Sequence, residues 1–281
     1  MLRVLRLIVF FGLATATAEA QGTLSEIFSI LRTEGPTVSA SGQARVRQIL
    51  EPYATGKKDL DGEWQSINDA LSDSSPFVRD QAGAALATIV YLSSTGVYAN
   101  PPRLIRLPDS TRDVVIQRFG ESKANLRGNA IRIITMMAGG VPPGLAPQLI
   151  QIAKADVDGE VRGVAIGALA SIPFPAAETT EFWIQSLNNV PNKELRGKVL
   201  NSFRFYAPAD PRVIALVIEA LKDMDYFVRQ EAIAAVIKIG KPAAAAIPLL
   251  NEIRDGNASA DERSQAMRMN AEGAIRILSR Q

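Results

Sequence analysis

The sequence contains no cysteine and no histidine. No disulfide can form, and there is no thiolate nucleophile. Zinc and iron centres built on Cys or His, a His-ligated haem and an imidazole general base are excluded with them. A serine–histidine triad falls for the same reason. Aromatic residues make up only 6%, and neither sign of charge dominates: 31 Lys and Arg against 29 Asp and Glu give a formal +2 over 281 residues. So small an excess offers no bulk attraction to nucleic acid. Apolar residues, at 47%, are ample for a core and exclude global disorder.

The first twenty residues read as an address. Arg3 and Arg6 precede an apolar run from Leu7 to Leu13, and Ala18-Glu19-Ala20 forms a small-x-small cleavage site before Gln21. The run is too short to span a bilayer comfortably, and Thr15, Thr17 and Glu19 end it. The expectation is a cleaved signal peptide at residues 1–20 and an exported protein, periplasmic or secreted. No cysteine follows the run, so a bacterial lipid anchor is excluded. Cleavage leaves 29 basic and 28 acidic side chains, a formal +1. No later stretch approaches 18 residues without a charge or a proline, so no membrane span is expected in the mature chain.

One pattern recurs six times, at Arg79, Arg127, Arg162, Arg196, Arg229 and Arg268, with intervals of 48, 35, 34, 33 and 39 residues. The residue before each Arg is Val78, Leu126, Val161, Leu195, Val228 or Met267. Three after comes Ala82, Ala130, Ala165, Val199, Ala232 or Ala271, and seven after comes Leu86, Ile134, Leu169, Phe203, Val236 or Ile275. Ten after comes Ile89, Met137, Ile172, Tyr206, Ile239 or Leu278. Offsets of −1, +3, +7 and +10 place these side chains on one face of an α-helix, and the alanine lets a neighbouring helix approach closely.

A further helix is expected before each of these, over Glu63–Leu71, Ser110–Phe119, Leu145–Ala153, Thr179–Leu187, Pro211–Leu221 and Pro242–Ile253. Pro211 and Pro242 suit a first helical turn, where a missing N–H is harmless. Each unit is then an antiparallel helix pair, and only stacking buries its apolar face continuously. An acid stands six residues before the Arg in five units: Asp73, Glu121, Asp156, Asp223 and Glu262, with Val190 in the fourth. It falls in the turn, where it can cap the second helix and reach an Arg of the same or the next unit. These acids and the six arginines form the expected structural ladder.

The stretches Asp223-Met-Asp-Tyr-Phe-Val228-Arg229-Gln-Glu-Ala232 and Asp156-Val-Asp-Gly-Glu-Val161-Arg162-Gly-Val-Ala165 resemble HEAT repeats, in particular the short bacterial, PBS-lyase HEAT-like type. The resemblance covers about residues 60–281. It implies an all-α fold, a right-handed α-solenoid of about six helix hairpins whose second helices line the concave side. It implies binding and scaffolding rather than catalysis. The expected division is a signal peptide at 1–20, an N-terminal helical cap or degenerate repeat at 21–58, and the repeat domain at 59–281. Within the cap, Leu24–Arg32 and Gln43–Tyr53 read as amphipathic helices with Ser39–Gly42 as a linker. The final helix, about Ser264–Arg280, closes the other end.

Two features bear on recognition. The first interval exceeds a 34-residue repeat by about 14 residues, and the excess maps to an insertion at Tyr91–Leu107 carrying Tyr91, Tyr98, Arg103 and Arg106. Insertions between repeats fall on loops, and aromatic and Arg side chains dominate binding hot spots. The concave face is expected to present Asp80, Asn129, Arg132, Lys198, Asn201, Gln230 and Glu231, a polar set of both signs that suits a protein or peptide rather than a polyanion. Two Asp-x-Asp-Gly-Glu segments, Asp59–Glu63 and Asp156–Glu160, open like calcium loops but have Ala70 and Gly167 where the bidentate Glu belongs. Capping turns explain both. The reading is a non-enzymatic, exported binding scaffold with no cofactor, no metal and no nucleic-acid partner. An accessory or enzyme resembling the bilin lyases, which share these repeats, is the alternative, as is a structural envelope component.

Overall fold

The computed structural model describes residues 22–95, 103–172, 177–189, 191–256 and 262–280. The expected signal segment and Tyr98 lie outside them. Among the described residues every regular element is helical, and none of the helices is long and apolar enough to cross a membrane. The chain divides into two compact units, Met1–Gly140 and Val141–Gln281.

In the N-terminal unit, helices α1 (Leu24–Glu34) and α2 (Ala40–Ala54) precede two repeat hairpins. These are α3 (Trp64–Leu71) with α4 (Pro76–Ser94), and α5 (Asp109–Gln117) with α6 (Ala124–Met136). First helix packs on first helix and second on second: α3 against α5, α4 against α6. The terminal pair α1–α2 covers the open end, with α1 touching α3 and α4, and α2 touching α4. The C-terminal unit repeats the scheme with α7 (Ala146–Ala155) and α8 (Gly159–Ala170), then α9 (Ala177–Asn188) and α10 (Lys193–Phe203). It continues with α11 (Pro211–Glu219) and α12 (Tyr226–Ile239), then α13 (Ile247–Gly256) and α14 (Glu262–Arg280). There α7, α9 and α11 form one layer, and α8, α10, α12 and α14 the other. Each unit is thus an α-solenoid stack of hairpins.

The periodic positions form the core. All six residues at +3, from Ala82 to Ala271, are at most 2% exposed. At −1, +7 and +10 most are buried as well, as with Val78, Leu86 and Ile89 in the second-helix layer. Burial of a Leu or Ile of this kind stabilises by about 1.5–3 kcal/mol, so the recurring stripe dominates the packing. The fourth hairpin, with Val199 for alanine, fills its interior with aromatics. Trp183 stacks 5.0 Å from Phe182 and meets Phe203 edge-on at 5.4 Å and 78°.

Several expectations are corrected. Tyr206 does not join the packing face and is 44% exposed, because α10 ends at Phe203, before the +10 position is reached. Leu195 and Ile275 are half-buried. The expected linker at Ser39–Gly42 is the start of α2: Ser39 caps it, its Oγ accepting the Gly42 N–H at 3.0 Å. Tyr91 is not in a loop, since α4 runs on to Ser94 and the excess chain begins beyond it. Pro242 opens a 3-10 segment at Lys241–Ala246, ahead of α13. That segment follows Gly240, whose φ of 70° turns the chain sharply out of α12 in a region L side chains rarely adopt.

Candidate protein interaction surface

The repeated arginine ties down the turn of the hairpins that carry Arg79, Arg127, Arg162, Arg196 and Arg229. Its Nη1 donates to the carbonyls six and five residues back. Arg79 reaches Asp73 O at 2.8 Å and Ser74 O at 3.1 Å, and Arg127 reaches Glu121 O at 2.7 Å and Ser122 O at 2.9 Å. Arg162 reaches Asp156 O at 2.9 Å, and Arg229 reaches Asp223 O at 2.7 Å and Met224 O at 3.0 Å. In the fourth hairpin Arg196 takes Asn189 O instead, at 2.7 Å.

The other edge of the guanidinium crosses to the next hairpin. Arg79 holds Glu121 at 2.9 and 3.2 Å, and Arg196 holds Asp223 at 2.8 Å through Nε and 2.6 Å through Nη2. Where Val190 replaces the acid, Arg162 uses Glu194 at 3.0 Å, four residues on. Arg32, at the end of α1, adds a rung to Asp73 at 2.6 Å that the periodic pattern did not contain. Its only sequence signal is a cation in the last turn of a helix. The Arg32 guanidinium holds the Asp73 carboxyl below the usual range; Arg79, then Arg118, does so for Glu121. The side chain of Glu262 lies outside the described residues, and Arg268 is exposed.

The acid at −6 is not the helix cap. Its free oxygen accepts the N–H two residues on, as Asp73 does from Ser75, Asp156 from Asp158 and Asp223 from Asp225. That next residue is the cap. Asp158 accepts from Glu160 and Val161, Asn192 from Leu195, and Asp225 from Phe227 and Val228. The division of labour is steric: one oxygen must face the neighbouring arginine, which leaves no second carboxyl edge for the helix N–H groups. Asp59 is used similarly, accepting the Asp61 N–H at 3.1 Å. Among the described residues no group of three ligating side chains could hold a metal.

In the C-terminal unit the second-helix layer carries three expected contact residues, Lys198, Asn201 and Gln230, all half-buried. Lys198 Nζ donates to the Gly159 carbonyl and to Glu194, 2.7 Å away, and with Arg162 holds the Glu194 carboxyl below its ordinary range. Asn201 Nδ2 donates to Glu231 Oε2 at 2.9 Å. Glu231, expected on the open face, is only 4% exposed and is held by Asn201 and by Arg204, 3.4 Å from it. These bridges tie α8, α10 and α12 into a level polar surface.

Sequence reasoning missed the apolar residues on this unit. Phe227 is 48% exposed and lies across α10, so close that a Cβ added at Gly197 would sit 2.6 Å from its ring. Phe205 and Tyr206, just beyond α10, are 63% and 44% exposed beside the half-exposed Arg204. Val157 and Met224, at matching positions of two hairpin turns, are 92% and 98% exposed. The available signal was an aromatic two residues before Arg229, where packing requires none.

The remaining expected contact residues lie in the N-terminal unit. Asn129 is half-buried, and Arg132, half-buried on the same helix, donates to it at 3.4 Å. Tyr91 is 47% exposed, and Arg103 and Arg106 are exposed on the segment leading to α5. Asp80 is drawn in between Gln81 and Asn125, and burial pushes its carboxyl up.

The family model described as HEAT repeats matches residues 180–269. No curated protein sequence matches the chain. Among solved structures, one engineered protein is similar with a TM-score of 0.49 at 17% identity, over 76% of this chain and 98% of the other. A second engineered protein gives 0.40 at 18%, over 91% and 97%. A designed armadillo repeat protein in complex with the peptide (KR)4 gives 0.41 at 16%, over 90% and 100%.

Proposed function

We propose that this chain, whose residues 180–269 carry HEAT repeats, is an exported scaffold that binds another protein and performs no chemistry of its own. The recognition surface is the second-helix layer of the C-terminal unit. One observation carries the reading: Phe227, Phe205 and Tyr206 stand exposed beside the half-exposed Arg204 on consecutive repeats. Large aromatics and Arg are the residues that dominate protein hot spots, and a folded chain gains nothing from leaving them in water. The bridged polar background around them fits the rim of such an interface. Export rests on residues 1–20 of the sequence, with Arg3, Arg6 and the Ala18-Glu19-Ala20 site.

The test is a paired capture from native envelope extract, with the wild-type chain and a Phe227→Ala/Arg204→Glu chain as baits at equal loading. A partner that saturates on the first and is absent from the second supports the surface. Equal capture by both, or none by either, removes it. Export is tested separately by fractionation and by the N-terminal residue of the recovered protein, which should be Gln21.

A further inference from the structure

In the N-terminal unit, residues 103–108 lead into α5. A cleft of about 180 Å³ opens there, lined by Arg103–Arg106, by Asp59 and Asp61, and by Leu60, Trp64 and Ile89. The segment is pinned at alternate residues. Arg103 donates its N–H to Ser93 O at 2.7 Å, and Ile105 accepts at its carbonyl from Ala138 N at 2.8 Å. Hydrogen bonds at i and i+2 are what an extended chain presents to one side, and residues i+1 and i+3 then face the other. Among the described residues, the N–H groups of Leu104 and Arg106 make no hydrogen bond. The segment therefore has one edge closed by its own fold and one edge open, bordering the cleft.

The arginines at that edge are uncommitted as well. Lys58 is occupied, donating to Gly22 O at 2.8 Å and lying 4.7 Å over the Tyr53 ring. Arg103 and Arg106 have no carboxylate partner among the described residues, and Asp61 is exposed in the same cleft. Leu104, 58% exposed, leaves apolar surface beside them. A polyanion would meet Asp59 and Asp61 together with the arginines, so a simple phosphate ligand is disfavoured. A chain with charges of both signs is matched by both.

We propose that this open edge receives an extended peptide strand from a partner protein, by main-chain pairing with Leu104 and Arg106. Acidic side chains of the strand meet Arg103 on one face and Arg106 on the other, a basic one meets Asp59 and Asp61, and an apolar one lies over Trp64. Strand addition of this kind draws affinity from the main chain and selectivity from alternate side chains. The proposal rests on the reading of the chain as a protein-binding scaffold, but it uses a different unit from the aromatic surface.

The experiment selects a phage-displayed library of random linear dodecapeptides on the full chain. The enriched peptide is then titrated by Trp64 fluorescence in a Trp183→Phe background. Trp183 is the other tryptophan of the sequence. Enriched sequences should share an apolar residue flanked by opposite charges. Leu104→Pro, which deletes one open N–H, and Arg103→Glu/Arg106→Glu should each weaken binding by about ten-fold or more, the equivalent of one lost hydrogen bond. Phe227→Ala should leave it unchanged. Unaltered circular dichroism and melting of each variant establish that the fold is intact. If Leu104→Pro proves unfolded, the Arg pair alone decides. No enrichment, or binding unmoved by these substitutions, overturns the strand site. Loss through Phe227→Ala alone overturns it too, while leaving the aromatic surface standing.

Discussion

Arg162 and Arg196 occupy the same position in consecutive repeats, yet their removal should have unequal effects. The Arg196 side chain is 6% exposed and its partner Asp223 13%, while Arg162 and Glu194 are 27% and 58% exposed. Arg196→Ala strands the Asp223 carboxylate, which keeps the Asp225 N–H on its other oxygen, and it also frees the Asn189 carbonyl. Breaking a desolvated, hydrogen-bonded ion pair from one side costs about 3–5 kcal/mol. Arg162→Ala leaves Glu194 with Lys198 and with water, so only the carbonyl bond is at stake, about 1 kcal/mol. At roughly 2–4 °C per kcal/mol for a protein of this size, Arg196→Ala should melt about 6–20 °C early and Arg162→Ala only about 2–4 °C early. Arg196→Met separates lost packing from lost hydrogen bonds, and a cycle with Asp223→Ala isolates the pair itself. Equal melting shifts for the two arginines, or a coupling energy near zero between Arg196 and Asp223, would refute the assignment of the ladder to desolvated cross-hairpin pairing.

Tyr53 donates to the buried Glu63 carboxylate at 2.5 Å, so Tyr53→Phe should destabilise by about 1–3 kcal/mol in chemical denaturation, with the Leu24 N–H and Lys58 left as partners. Burial, with Glu63 beside it, raises the Tyr53 phenol well above the tyrosine range, so its contribution is complete below that range and the wild-type melting point should fall as pH rises through it and beyond. Gly197→Ala adds helix propensity but displaces the Phe227 ring, so melting should move by less than about 3 °C while capture of the partner falls. The carboxyls of Asp73 and Glu121 titrate below their ordinary range. Their contribution is therefore complete above that range and is lost as pH falls through it and below. Acid titration of stability should flatten in Arg79→Met, and an unchanged acid limb would contradict the pairing. Asp80, raised by burial, works in the opposite sense and offsets part of the loss.

The hairpins could be read before any coordinate because a solenoid repeats its local chemistry. An apolar stripe at −1, +3, +7 and +10, a small residue at the helix contact and an acid six before an arginine recur in register, and each is a short-range pattern. By itself, then, the sequence determined the all-α class, the second helices and the residues of their core; the absence of Cys and His also determined which chemistries the chain could not perform. Tertiary packing decided the rest. Whether an acid caps its own helix or serves the next hairpin depends on where the neighbouring arginine arrives, and for Asp223 that is Arg196, 27 positions earlier. Whether Phe227 is core or surface depends on a glycine in the adjacent helix, and whether Tyr206 packs depends on where α10 ends. The open edge at Leu104 and Arg106 exists because Ser93 and Ala138 close the other one. Each is a matter of which atom from a distant part of the chain reaches a group first, and a spacing rule, which is local, carries no record of it.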